Sequence, residues 1–160
     1  MELTQNEALK KGFEAQQAGQ IQEAENFYRL VLNAQPNHPD ANHNMGVLAV
    51  DVIKIQEALV YFKIALEANP SKGQYWLSYI DALIKLGNLK DAKTVFEQAK
   101  DKGAKGEAFD LLEQKIAQQE KSAITATATA GPYSSQPNVL NTIKLDKALR
   151  LAVRKSKDGE

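Results

Sequence analysis

Apolar residues return along this chain at helical spacing, most clearly at Ala58, Leu59, Phe62, Ala65 and Leu66. They fall at i, i+1, i+4, i+7 and i+8, which places them on one face of a 3.6-residue helix. The face itself recurs. A shift of 34 residues either way carries Ala58 onto Ala24 and Ala92, Phe62 onto Tyr28 and Phe96, and Ala65 onto Val31 and Ala99. Gly46 likewise falls on Gly12, and Pro70 on Pro36. A fixed period of this size marks stacked helical units, each too small to bury its own apolar face alone. The central unit, residues 39–72, has a neighbour on each side and buries both flanks.

The punctuation between these faces predicts two helices per unit. Thr4-x-x-Glu7 is a capping box opening the first, and Gly19 offers the left-handed residue that ends it. A partner helix follows over about residues 21–34 and stops at Pro36, and Pro39 starts the next. Ser71-x-x-Gln74 reads as a second capping box, while Gly87-Asn88 ends one helix and caps another that runs to about Gly103. The central unit has Ile53 where Gly19 and Gly87 stand, and the pattern offers no account of how that turn closes. Gly12 and Gly46 in first helices, and Ala24, Ala58 and Ala92 in second helices, let each pair cross closely, with the aromatic column filling the layer beyond.

These columns resemble those of the tetratricopeptide repeat (TPR) family, whose signature is W-x2-L-G-x2-Y, then A-x3-F, then P, over 34 residues. Ala58-x3-Phe62 and Ala92-x3-Phe96 match it, and Ala24-x3-Tyr28 matches with a tyrosine. Trp76 fills the tryptophan column and Met45-Gly46 the Leu-Gly place. Ile80 stands where the glycine belongs, Lys11 replaces the leucine, and Ala104 replaces the closing proline. The resemblance covers about residues 5–106. It implies an all-α fold, a right-handed α-solenoid of antiparallel helix pairs, with repeats at 4–37, 38–71 and 72–105.

Beyond the repeats, Phe109, Leu112 and Ile116 share one side of a helix over 106–121, the cover that a terminal repeat needs. Residues 122–138 are rich in Ala, Thr, Ser, Gly and Pro without amphipathic period, and read as a linker. Residues 139–160 read as a detached C-terminal helix resembling the first half of a further repeat. Its Asp146, Ala148, Leu149, Arg150 and Gly159 match Asn6, Ala8, Leu9, Lys10 and Gly19 in order and spacing. Leu145, Ala148, Leu149, Ala152 and Val153 form its apolar face, which is expected to dock on Phe109, Leu112 and Ile116 of its own chain or of a neighbour. Self-association through this helix is therefore one expected mode of assembly.

Composition narrows the function classes. Twenty basic and 20 acidic residues cancel, which argues against general attraction to nucleic acid or to an anionic membrane. The cancellation hides an asymmetry, because residues 1–138 hold 14 basic and 17 acidic side chains and residues 139–160 hold 6 and 3. No cysteine is present, so disulfides and thiolate chemistry are excluded. The start MELTQNEALKK has no apolar run, and a cytoplasmic protein is expected.

Catalytic groupings are sparse. His38 and His43 are the only histidines, too few ligands for a closed metal site, and GAKGEA lacks the spacing of a phosphate loop. Asp51 and Asp81 sit singly on helices. No enzyme activity, metal or cofactor is expected.

In the family that the repeats resemble, first helices line a concave groove that takes an extended peptide or a partner's helix. The resemblance places Asn6, Leu9, Phe13, Gln16 and Gln17 of the first unit there. It adds His43, Asn44, Val47, Val50 and Asp51 of the second, and Gln74, Leu77, Asp81, Ile84 and Lys85 of the third. Leu9, Phe13, Val47, Val50, Leu77 and Ile84 would make an apolar stripe, which helix-in-groove binding requires. Repeats that clamp acidic chaperone tails carry lysine, arginine and asparagine at these places. Only Asn44 fits, with Leu9 and Phe13 in the places of a lysine and an asparagine, so that ligand class is not expected. Nor is there the asparagine ladder of O-linked N-acetylglucosamine transferases. The expected function is a non-catalytic module binding a protein or peptide of unspecified identity. The alternative is the N-terminal arm of a larger bacterial sulfotransferase, glycosyltransferase or methyltransferase, whose repeats residues 24–50 resemble.

Overall fold

A computed structural model describes residues 3–128 of the chain. These form α1 (Gln5–Gln17), α2 (Ile21–Ala34), α3 (Pro39–Asp51), α4 (Ile55–Ala68), α5 (Gly73–Lys85), α6 (Leu89–Asp101) and α7 (Glu107–Ala128), with no strand among the described residues. The 34-residue period holds in three dimensions, since α1, α3, α5 and α7 begin at 5, 39, 73 and 107. The fold is an all-α helical repeat in which each pair packs on its own partner and on the next pair. The C-terminal helix expected over 139–160 lies outside the described residues.

The crossing of each pair rests on the small-residue columns. Ala24, Ala58 and Ala92 are fully buried, as are Ala65 and Ala99 in the later column. A Cβ placed on Gly12 would stand 2.5 Å from Tyr28 Cε1, and one on Gly46 would stand 2.5 Å from Phe62 Cε1. The aromatic rings therefore lie directly on the glycines, filling the space that a side chain would need. Ile80 takes that place in the third pair and is itself fully buried. Truncating Phe62, 2% exposed, should cost roughly 3–5 kcal/mol, as for other buried Phe→Ala changes.

Local signals set most helix ends. The Thr4 hydroxyl accepts from Glu7 N and the Glu7 carboxylate accepts from Thr4 N, which completes the capping box. These bonds hold the Glu7 carboxyl below its usual range. His38 Nδ1 accepts from Ala41 N ahead of Pro39, and Asn88 Oδ1 accepts from Asp91 N. Ser71 is not a cap: Lys72 precedes α5, and the Ser71 hydroxyl donates to Asn69 Oδ1 at 2.7 Å. The nearby side-chain acceptor captures the serine before the helix can use it.

The central turn closes without glycine. Ile53 adopts φ 64°, beside 74° for both Gly19 and Gly87. It also makes their hydrogen bonds, with Ile53 N to Val50 O at 3.0 Å and Lys54 N to Ala49 O at 2.8 Å. A β-branched residue in that region costs about 1–3 kcal/mol of backbone strain. Its side chain is 83% exposed.

Helix α7 departs from expectation in two ways. It continues to Ala128, into the segment read as linker from 122. Alanines sustain it there, and the Ser122 and Thr125 hydroxyls bond back to the carbonyls of Gln118 and Lys121. Its apolar face is also already covered. Phe109, Leu112 and Ile116 are at most 5% exposed and share one cluster with Tyr75, Leu77, Ile84 and Phe96. The docking expected of the C-terminal segment on this face involves residues outside those described.

Candidate functional site: the inner face of the first helices

Helices α1, α3 and α5 line up through one register, so residues about one repeat apart meet across the inner face. The first such meeting lies between the opening turns of α3 and α5. Asp40 Oδ1 accepts from Tyr75 Oη at 2.7 Å and from Lys72 Nζ at 2.9 Å, and the Lys72 ammonium stands 5.4 Å from the Tyr75 ring centre. Burial pushes the Asp40 carboxyl up, but the bonds from Lys72 and Tyr75 outweigh it and hold the group below its ordinary value. Burial, with the Asp40 bond second, raises the Tyr75 phenol well above its own. Together they form a charged rim on a recess of roughly 320 Å³.

That recess brings together five of the residues expected in the groove: Leu9, Phe13, His43, Asn44 and Gln74. It adds Lys10, Asp40, Lys72 and Tyr75, which sequence reasoning missed. Asp40 was legible in principle, since it shares one column with Asn6 and Gln74. Phe13 is 36% exposed and Leu9 half-buried, so apolar surface is present at the α1 side. His43 is 4% exposed, its ring 4.9 Å from that of Tyr75 and 5.6 Å from that of Phe62, with Nε2 2.9 Å from Ser78 Oγ. It forms the floor of the recess more than its wall.

The remaining expected residues separate. Val47 and Val50 are half-buried against Ala49, Ala58, Phe62 and Ala82 and keep part of their surface. Asn6 and Gln17 are exposed, and exposed Asp51 accepts from Gln16 Nε2 at 3.0 Å. Leu77 and Ile84 are 3% and 1% exposed and share one cluster with Phe109, Leu112 and Ile116. Helix α7 packs on α5 where a fourth first helix would stand. Asp81 bonds both Lys85 and Lys115, the latter at 2.7 Å, so neither Asp81 nor Lys85 presents a bare charge. Among the described residues, the apolar positions of the expected groove that keep surface are Leu9, Phe13, Val47 and Val50, on α1 and α3.

His38 and His43 have separate duties, one a helix cap and the other a buried ring. No group of three or more metal-ligating side chains occurs among the described residues, and none of their helices is long and apolar enough to cross a membrane.

Helix pairs in this register, with small residues under an aromatic column and a first-helix inner face, form an all-α helical repeat. Residues 54–122 match the tetratricopeptide repeat family. Solved structures share the fold. The Sgt2 TPR domain from Aspergillus fumigatus matches with a TM-score of 0.67 at 16% identity, over 82% of this chain and 87% of that one. The TPR2B domain of yeast Sti1, solved as a complex with pHsp70, matches at 0.66 and 20%, over 72% and 97%. An O-GlcNAc transferase from Thermobaculum terrenum matches at 0.62 and 19%, over 74% of this chain and 24% of that one. No curated protein matches the sequence.

Proposed function

We propose that this protein is a non-catalytic interaction module that binds a peptide or helix of another protein across α1 and α3. The observation carrying this reading is the recess between Phe13, Asp40 and Tyr75, where apolar surface meets an oriented carboxylate. Both bonds to Asp40 fall on Oδ1, and Asp40 lines the recess. Such a site takes an amphipathic segment with an apolar anchor and a basic or amide side chain beside it. The yeast Sti1 domain, of like fold, is seen in complex with pHsp70, which supports a peptide-binding use of this architecture. The acidic-tail class fits less well here, because Leu9 and Phe13 stand where cationic and amide groups would be needed.

The test is a pull-down and titration with full chain and the double variant Phe13→Glu, Val47→Glu. Partner capture should be lost while helical circular dichroism is unchanged. Loss of helicity would make these residues core and remove the groove reading. A second reading, a repeat arm of a larger transferase, draws support from the O-GlcNAc transferase, of which this fold spans about a quarter. A catalytic domain encoded in the same reading frame would establish it.

A further inference from the structure

Asp51 stands where helix electrostatics disfavour it. It is the last residue of α3, and its side chain is exposed. The carbonyl end of a helix carries partial negative charge, so a last turn favours a cation and disfavours an acid. Lys85, 34 residues on at the end of α5, has the favoured charge. The last turns of α1 and α3 hold no basic residue. Among the described residues Asp51 belongs to no ion pair, and the cations Lys54 and Lys85 are taken by Glu57 and Asp81. An acid in this place works against its own helix, and such departures from local preference are expected at functional positions.

The same carboxylate is held in place. Gln16 Nε2 donates to Asp51 Oδ2 at 3.0 Å, across the gap from α1 to α3. Gln16 Oε1 in turn accepts from Tyr28 Oη at 2.9 Å, and Tyr28 is fully buried. The tyrosine hydroxyl thus fixes which end of the amide meets Asp51. Burial first, and the Asp51 charge second, raise the Tyr28 phenol well above its ordinary value. About one turn earlier on the same two helices lie Phe13 and Val47, and Val50 is adjacent; all three keep surface. A fixed carboxylate therefore ends the apolar stretch of the α1–α3 face, about 6 Å from Val47 along the helix axis.

We infer that Asp51 selects the partner: it receives a lysine or arginine that the bound segment carries one helical turn from an apolar anchor. The inference rests on the proposed groove across α1 and α3, and adds the charge of the segment that binds there. One cation would meet the Asp51 carboxylate and the carbonyl end of α3 at once. Lys72, the lysine nearest the other end of α3, is bonded to Asp40, about 16 Å away along the helix. The wider field agrees, since residues 1–138 hold 14 basic and 17 acidic side chains.

The experiment pans a random peptide library on the immobilised full chain, with the Phe13→Glu, Val47→Glu variant as counter-selection. Peptides that bind the first and not the second are groove binders. They should carry lysine or arginine three or four residues from an apolar anchor. One such peptide is then titrated by fluorescence anisotropy, with its basic residue kept or changed to glutamine. On the unaltered chain the change should weaken binding about tenfold, and on Asp51→Asn the loss should all but vanish. Asparagine still accepts from Gln16, so helical circular dichroism should be the same for both chains. Asp51→Lys should instead prefer a peptide with glutamate at that place. Groove binders without a basic residue, or a glutamine peptide weakened equally on both chains, overturn the inference and leave the groove standing. A library that yields no groove-dependent binder removes both.

Discussion

Lys115 and Asp81 stand 34 residues apart and meet at 2.7 Å, with the lysine only 3% exposed. The pair ties α7 to α5 in register, so α7 occupies the place of a fourth first helix. The second carboxylate oxygen takes Lys85, which leaves one carboxylate between two ammonium groups. Removing Asp81 alone would take the carboxylate away from two ammonium groups, one of them on a buried lysine. Asp81→Ala should therefore lower stability by roughly 3–5 kcal/mol in a urea titration. The double change Asp81→Leu with Lys115→Leu should recover most of it, because apolar groups then replace both members of the buried pair.

Gly46 sets the closeness of α3 and α4. A methyl group there would fall 2.5 Å from Phe62 Cε1, and the ring is 2% exposed with no room to retreat. Gly46→Ala should cost about 1–3 kcal/mol despite the better helix propensity of alanine. Ala58→Leu, at a fully buried site in the facing helix, should cost a similar amount. Equilibrium denaturation measures both, and an unchanged midpoint would mean the helices do not cross there as described.

Asp40 makes stability depend on pH in one direction. Its folded value lies below the ordinary 3.8, so its contribution is fully present above that pH and fades as pH falls through the folded value. Asp40→Asn should be less stable than the unaltered chain at neutral pH, and the difference should narrow below pH 3.8. Thermal melts of both proteins between neutral and acid pH make the comparison. A constant gap would show that Asp40 acts through shape and not through charge.

The capping residues divide by what their side chains reach. Thr4→Ala and Asn88→Ala each remove an acceptor from a helix N-terminus and should cost about 0.5–2 kcal/mol. Ser71→Ala removes a bond to Asn69 instead of a cap and should fall within about 0.5 kcal/mol of neutral. Melting temperatures of the three variants separate the two kinds.

Much of this architecture was legible along the chain, because helical period, capping chemistry and the 34-residue columns act between residues close in sequence. Thr4, Pro39, Asn88, the alanine columns and the aromatic column all take the places their local chemistry implies. The recess was half legible: Leu9, Phe13, His43, Asn44 and Gln74 were visible as a column set, while the Asp40–Tyr75–Lys72 rim required two repeats to be brought together. Position within a stack also decided what a column does. Leu9 and Leu77 share a column, yet Leu9 keeps surface in the recess and Leu77 is buried in the cluster that includes Phe109 and Leu112. The turn at Ile53 marks the other limit. Its neighbours' glycines announce a left-handed turn, but isoleucine closes it only because the packed helices on both sides force the backbone there. The sequence by itself determined the helices, their period and their small-residue crossings, since these depend on contacts within one or two turns. Tertiary structure alone decided which inner faces stay open and which charges are buried, because exposure depends on the neighbour that the stack supplies.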